Sequence, residues 1–250
     1  MRSCCALILA LLGLLATGCR HTPPGEEVPV YNGLTDEQVL LMLADRAEKV
    51  GTFSASGVLR LDDTERGTVT LDVVLLAEGE SRLRLRAWKL GRAVFDLTRD
   101  GEALWLWTRE SLASSEDRVP SVNAEQVGLG WSLLSGRMFR NPPQQVVTGS
   151  PILVTFELDP DSGTTARLLV DPATATVRRY EVVSPDGIVR QALGSDRHRL
   201  IDGQPIATRI MGQGAGEDGS SFMLELTEVE LNGELPAEAF TPPRNAQRRP

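Results

Sequence analysis

The sequence predicts a mainly β domain of the α+β class, built on a single antiparallel sheet. Three observations predict it. From Thr68 onward, short runs alternate apolar with polar residues, most clearly in Arg82-Leu83-Arg84-Leu85-Arg86, where arginines and leucines must face opposite sides of a sheet. Asp-Gly pairs at Asp100-Gly101, Asp186-Gly187 and Asp202-Gly203, with Asp171-Pro172, punctuate the runs as hairpin turns do. Only two stretches carry helical spacing, and the strand signals lie close together, as in an antiparallel meander.

The chain opens with a leader. Arg2 supplies positive charge, Ala6 to Ala16 is apolar apart from Gly13, and Ala16-Thr17-Gly18 are small before Cys19. Residues 1–18 therefore read as a signal peptide, too short to span a hydrocarbon core of about 30 Å, which takes roughly 20 residues. All three cysteines, Cys4, Cys5 and Cys19, lie in or at the end of this leader, so cleavage before Cys19 leaves no internal disulfide. Residues 19–33, with Pro23-Pro24-Gly25-Glu26-Glu27 and Pro29, read as an extended tether.

The folded domain is expected over residues 34–243. Thr35 and Gln38 form a capping box, and Val39, Leu43, Ala47 and Val50 recur at helical spacing until Gly51. Alternation then predicts strands around Thr68–Val73, Arg82–Arg86, Phe95–Leu97, Ile152–Leu158, Arg167–Asp171, Val177–Val183, Ile188–Leu193, Ile206–Met211 and Phe222–Thr227. Between the two groups, Asn123 and Gln126 can cap a second helix, whose stripe of Val127, Trp131, Leu134 and Met138 runs to Pro142-Pro143. Such a helix needs an apolar surface, and the concave side of the sheet offers one. Gly128, Gly130 and Gly136 weaken it by up to about 1 kcal/mol each relative to alanine. Residues 244–250, with Arg244, Arg248 and Arg249, read as a basic disordered tail.

Composition and motifs exclude much chemistry. The formal net charge of −8 argues against nucleic acid as a partner. The chain has two histidines, and Ser195, Asp196 and His198 lie too close in sequence for a triad, so they read as an incidental polar loop. No Gly-x-Ser-x-Gly elbow occurs, and Gly212-Gln213-Gly214-Ala215-Gly216 leads to another strand and not to a phosphate-binding helix. With no histidine pair at helical spacing and no cysteine cluster, neither a metal nor a cofactor is expected, and the domain reads as non-enzymatic. What remains is greasy surface. Leu83, Leu85, Phe95, Leu97, Val154 and Phe156 are candidate inward positions, with Trp131 capping them.

The run Leu15-Ala16-Thr17-Gly18-Cys19 resembles the bacterial lipobox, with Ala16 where leucine is usual. That resemblance implies acylation of Cys19 and, with Arg20 next, outer-membrane delivery, the protein facing the periplasm. The order of helix, strands, helix and second meander, with Asp100-Gly101-Glu102-Ala103-Leu104-Trp105, Val170-Asp171-Pro172-Ala173-Thr174 and Phe240-Thr241-Pro242-Pro243, resembles the LolA/LolB lipoprotein-localisation family. The resemblance implies a sheet curved into an open half-barrel with helices across its mouth. It implies acyl chains or a lipidated protein as ligand, a periplasmic carrier protein as a candidate partner, and a role in lipoprotein or lipid delivery.

Within that family the receptor is lipid-anchored, and this chain is similar to that side. Receptors push a leucine out of the loop after the third strand, and Lys89-Leu90-Gly91 sits at a comparable turn. Leu90, with Trp88 beside it, is thus a candidate client or membrane contact, unless both fold back as rim packing. Glu78-Gly79-Glu80 departs from the basic residue and proline of the carriers, against a carrier-like closing mechanism. The rival reading is a monomeric envelope scaffold or sensor that binds proteins through its rim and fills its own core.

Overall fold

The computed structural model describes residues 25–63, 67–109, 131–132, 135–213 and 221–249. Cys19 with the leader, the cap at Asn123 and Gln126, Val127, Leu134 and the Gly214–Gly219 stretch lie outside these residues.

In chain order the elements are strand β1 (Glu26–Glu27), helix α1 (Asp36–Lys49), and the first meander of β2 (Thr52–Asp63), β3 (Gly67–Glu78), β4 (Arg82–Lys89), β5 (Arg92–Asp100) and β6 (Ala103–Thr108). After the 3₁₀ turn Arg137–Arg140 come β7 (Gln145–Val147), β8 (Ile152–Asp159), β9 (Thr164–Asp171), β10 (Thr176–Val183), β11 (Val189–Ile201), β12 (Gln204–Gln213), β13 (Ser221–Leu231) and β14 (Gln247–Arg249). The fourteen strands among the described residues join one antiparallel sheet, ordered β14-β6-β5-β4-β3-β2-β13-β12-β11-β10-β9-β8-β7, with β1 on β11. Its ends, β14 and β7, do not pair with each other, so the sheet is an open half-barrel, mainly β.

Each predicted strand lies within or overlaps an observed one; Asp186-Gly187 and Asp202-Gly203 fall in connections between strands, and Asp100 closes β5 with Gly101 in the turn after it. At Asp202-Gly203 both residues are left-handed, at φ +49 and +74, as a two-residue hairpin requires. The capping box at α1 forms in full: the Gln38 amide donates to Thr35 Oγ1 at 3.2 Å, and the Thr35 amide donates to Gln38 Oε1 at 2.8 Å. Val39, Leu43 and Ala47 face inward from the helix and are buried. Each larger one contributes roughly 1.5–3 kcal/mol by leaving water.

Four expectations are corrected. The helix stripe does not run from Trp131 to Met138, because Gly136 stands at φ +68 and the chain continues as a 3₁₀ turn. The tether is not free to residue 33: β1 pairs with β11, and the Tyr31 amide donates to Ala173 O. The tail is not disordered throughout, since Gln247–Arg249 hydrogen-bond to the edge of β6. Ser195, Asp196 and His198 lie in strand β11, not in a loop.

The arginine face of β4 is also drier than alternation alone implies. Arg84 makes a two-pronged contact with Asp96, which is 1% exposed, and donates to Ala239 O at 2.9 Å. The Arg82 guanidinium lies 4.8 Å from the Phe240 ring. Ala239 and Phe240, both buried, thus form a strap over this outer face, and it delivers β14 to β6.

Within the sheet as described, strands β2 to β6 and strands β7 to β13 are joined where β2 pairs with β13. There the register shifts between Leu226 and Glu228, and the strands approach so closely at Gly57 that a Cβ would stand 2.1 Å from the Glu225 carbonyl oxygen. A backbone oxygen held in a ladder cannot step aside. Gly57→Ala is therefore expected to destabilise the protein by about 1–3 kcal/mol or more, read as a lower denaturant midpoint, and an unchanged midpoint would refute this account of the seam.

Candidate functional site

The inner face of the sheet carries the apolar half of every alternation. Phe53, Ala55 and Leu59 of β2 stand beside Val73, Leu75 and Ala77 of β3, and Leu83 and Ala87 of β4 continue the surface. The second meander supplies Ile152, Val154, Phe156, Leu168 and Val170, over which α1 lays Val39 and Leu43. All seven residues predicted to line a cavity lie in this apolar interior, but in three groups. Leu83 and Trp131 are buried in the first-meander core, with Phe95 packed half-buried against it. Val154 and Phe156 are buried under α1 with Met138 and Phe139, and Leu97 sits with Leu104 and Leu106, with Leu85 packed against them.

Trp131 is the piece that fills the bowl. It is 1% exposed, meets Phe53 edge-on at 5.4 Å, and donates from Nε1 to Gly79 O at 2.9 Å. The segment that carries it is fastened to the carboxyl end of α1, whose last carbonyls have no partner within the helix. Arg137 Nη2 donates to Val50 O at 2.7 Å, Arg140 Nη2 to Ala47 O at 3.0 Å, and Asn232 Nδ2 to Lys49 O at 2.9 Å. Cations at this end of a helix also meet the negative pole of its dipole. Arg140 further pairs with Glu48 at 3.1 Å and Glu80 at 2.9 Å. Burial, reinforced by Arg140 nearby, pulls the Arg137 pKa below its ordinary value.

A pocket of about 60 Å³ lies between α1 (Leu43, Arg46, Val50), Ala175–Val177 and the β11–β12 hairpin. Sites that engulf a small molecule measure roughly 300–1,000 Å³, so this one is too small to do so. His198 lines this pocket, and its Nδ1 is buried without a hydrogen-bond partner. Burial, with Arg178 nearby, lowers its pKa to about 4. Because the folded value lies below the unfolded one, stability is retained above the unfolded pKa and declines as pH falls toward the folded one. Between pH 6.5 and 4 the protein should lose up to about 3 kcal/mol relative to His198→Gln. Denaturation curves for the two that run parallel across this window would refute the placement of a neutral, half-buried imidazole with its Nδ1 covered.

At the rim, β4 and β5 are joined by Leu90-Gly91, at φ +51 and +72. Leu90 is 92% exposed, so it does not fold back as packing. Trp88 is half-buried on the outer face, with the Arg86 guanidinium 5.2 Å from its ring. A left-handed leucine costs about 1–2 kcal/mol that glycine or asparagine avoids, and here no burial offsets it. Leu90→Asn should raise stability by about 1 kcal/mol in chemical denaturation, and a loss instead would mean that the leucine supports the fold.

Sequence reasoning missed Arg137, Arg140 and Asn232, whose targets on α1 are remote in the chain. The one local signal was a pair of arginines three apart beside a helix stripe. Among the described residues there is no group of three or more His, Cys, Asp or Glu side chains able to hold a metal. No helix among them is long and apolar enough to cross a membrane.

No protein-family model and no curated protein matches the chain. Solved structures do. A LolA superfamily protein from Nitrosomonas europaea aligns over 84% of this chain and 99% of its own, at 15% identity and a TM-score of 0.55. A domain described as outer-membrane lipoprotein-sorting, from Vibrio parahaemolyticus, aligns over 82% and 95%, at 14% identity and 0.57. A DUF1329 family protein from Desulfovibrio piger aligns over 81% and 94%, at 10% identity and 0.56. The chain has a LolA/LolB-like fold.

Proposed function

We propose that this chain is a non-enzymatic envelope lipoprotein, acylated on Cys19 and facing the periplasm from the outer membrane, that binds acyl chains or a lipidated client on the inner face of its sheet. The observation that carries the reading is how that face is covered. A β-sandwich buries such a surface permanently under a second sheet, whereas here one helix and the Trp131–Arg140 segment lie over it. Part of the hold on that segment is the Arg140 pairing with Glu48 and Glu80, whose side chains are 66% and 69% exposed. Exposed pairs of this kind contribute about 0–1 kcal/mol, so the larger cost of lifting the cover is the burial of Trp131, about 3–5 kcal/mol, which a bound acyl chain would have to replace. Acyl chains would then lie against Leu83, Leu85, Phe95, Leu97, Val154 and Phe156, taking the space of Trp131. Leu90 and Trp88 would meet the client or the membrane, and a periplasmic carrier would deliver the client.

Hand-over without an energy source requires near balance. Each CH₂ buried in the bilayer contributes about 0.8 kcal/mol, and the protein must return a similar amount. A face that closes on itself when empty supports this, because re-forming the Trp131 contacts favours release. The packed pocket of about 60 Å³ favours a second reading, in which the core is permanently filled and the rim binds other proteins.

A triacylated lipopeptide carrying a photoactivatable group on one acyl chain separates the two. Native mass spectrometry should show a one-to-one complex, and illumination should label peptides containing Leu83, Phe95, Val154 or Phe156. Labelling confined to the rim, or no complex at all, would leave the scaffold reading standing and end the first.

A further inference from the structure

Strands β10 and β11 separate before either ends. Their ladder stops at Arg179 opposite Gly194, and the same edge of β11 is next taken by β1, where Glu27 stands opposite Arg199. Ser195 to His198 run through the gap between. There the Val177 carbonyl accepts from side chains, the Ser195 hydroxyl and the His198 ring. Residues three apart in a regular strand face opposite sides, yet Ser195 and His198 both line the pocket under α1. Arg197 lies between them at φ +49, its carbonyl accepting from the Thr208 hydroxyl. A left-handed arginine inside a strand costs the fold stability, and such strain gathers at functional sites.

The distortion turns unfinished hydrogen bonding into the pocket. His198 Nδ1 and Gln204 Oε1 are buried without a partner among the described residues, and both side chains line it. Native folds rarely leave such atoms unserved. Because the ring's proton is committed to Val177, Nδ1 can only accept. The Gln204 amide can turn either end inward, so a group with a donor beside an acceptor serves both residues. Arg46 on one wall and Arg178 near the ring disfavour a cation, and the lone pair at Nδ1 disfavours an anion. A neutral amide meets every one of these demands. The volume of about 60 Å³ is the share of roughly two waters, room for that group and not for a chain.

The position of the pocket supplies the rest. Val50, Ile206 and Ile210 belong to the apolar cluster of the first meander, and Leu43, Ala175 and Val177 to that of the second. This is a polar notch on the seam between two greasy halves, and Ser135 and Gly136 of the cover border it. A lipid with chains in both halves must place its junction here.

We propose that the notch of His198 and Gln204 reads a secondary amide, and so selects N-acylated clients over lipids whose chains are joined through esters alone. The inference rests on the acyl-binding reading and adds which lipids the inner face prefers. The amide donates its N–H to His198 Nδ1 and offers its oxygen to the Gln204 side chain. An ester in the same place leaves Nδ1 buried and unpaired, and that loss is the basis of the selection.

The test uses the full chain with Cys19→Ser, which keeps it unacylated, and two triacylated lipopeptides. One has its N-acyl amide; in the other an ester oxygen replaces that N–H, and a deuterated chain marks its mass. The two are nearly identical in shape. Mixed in equal amounts and in excess over protein, they compete, and native mass spectrometry reads the ratio of complexes. The amide form should be favoured about tenfold. With His198→Leu, folded by circular dichroism, the ratio should fall to about one. Equal complexes with His198 in place would mean that water serves these atoms, overturning the selection and leaving the acyl-binding reading intact. A preference that survives His198→Leu would overturn the assignment to this pocket. No complex with either peptide would overturn both readings.

Discussion

The pairing of β2 with β13 is the constraint on which the remainder depends. Ser56 and Glu228, which touch across it, are 172 positions apart in the chain. Without that ladder there would be two separate meanders, each with a greasy side and too narrow to enclose anything. With it, Phe53, Ala55 and Leu59 become continuous through Leu224 and Ile210 into the second half. One helix and one short segment can then cover both halves. The bulge at Leu226 and the small Gly57 let the two ladders join at close range.

The cover illustrates how a helix end becomes a fastening. Three side chains from two remote parts of the chain converge on the last carbonyls of α1, each satisfying an acceptor the helix cannot. Arg137 does this from a buried position and Arg140 from a half-buried one whose acidic partners are exposed, so the same fastening has a firm part and a looser part. A sheet closed by such pieces has a removable inner wall, and this is why a packed interior and a binding interior are compatible in one fold.

Local signals carried most of what the sequence revealed. The capping box needs only Thr35 and Gln38, and the alternation of β4 needs only its own residues, so both were legible. Strand β2 was not, because its inward positions include Ala55 and Gly57, small for the sake of a neighbour that enters much later. The Arg82–Arg86 face looked uniformly wet because nothing nearby in sequence announces that Ala239 and Phe240 return to cover it. Likewise, the position of Leu90 was readable at its turn, but its exposure was not. Trp131 was found from an apolar stripe, while the Gly79 carbonyl that orients it belongs to a β-turn some fifty positions earlier.

The strap gives the segment that follows it a structural duty. Gln247–Arg249 pair with the edge of β6, a strand bearing Trp105 and Trp107, and the strap that leads to them is held by Arg84 through the Ala239 carbonyl. Proteolysis just beyond the strap, releasing Gln247–Arg249, would unmask a row of hydrogen-bonding groups flanked by indoles, the kind of border along which chains stick to one another. A cut there would thus turn a covered border into a template for assembly, although every residue of the greasy interior stayed in place.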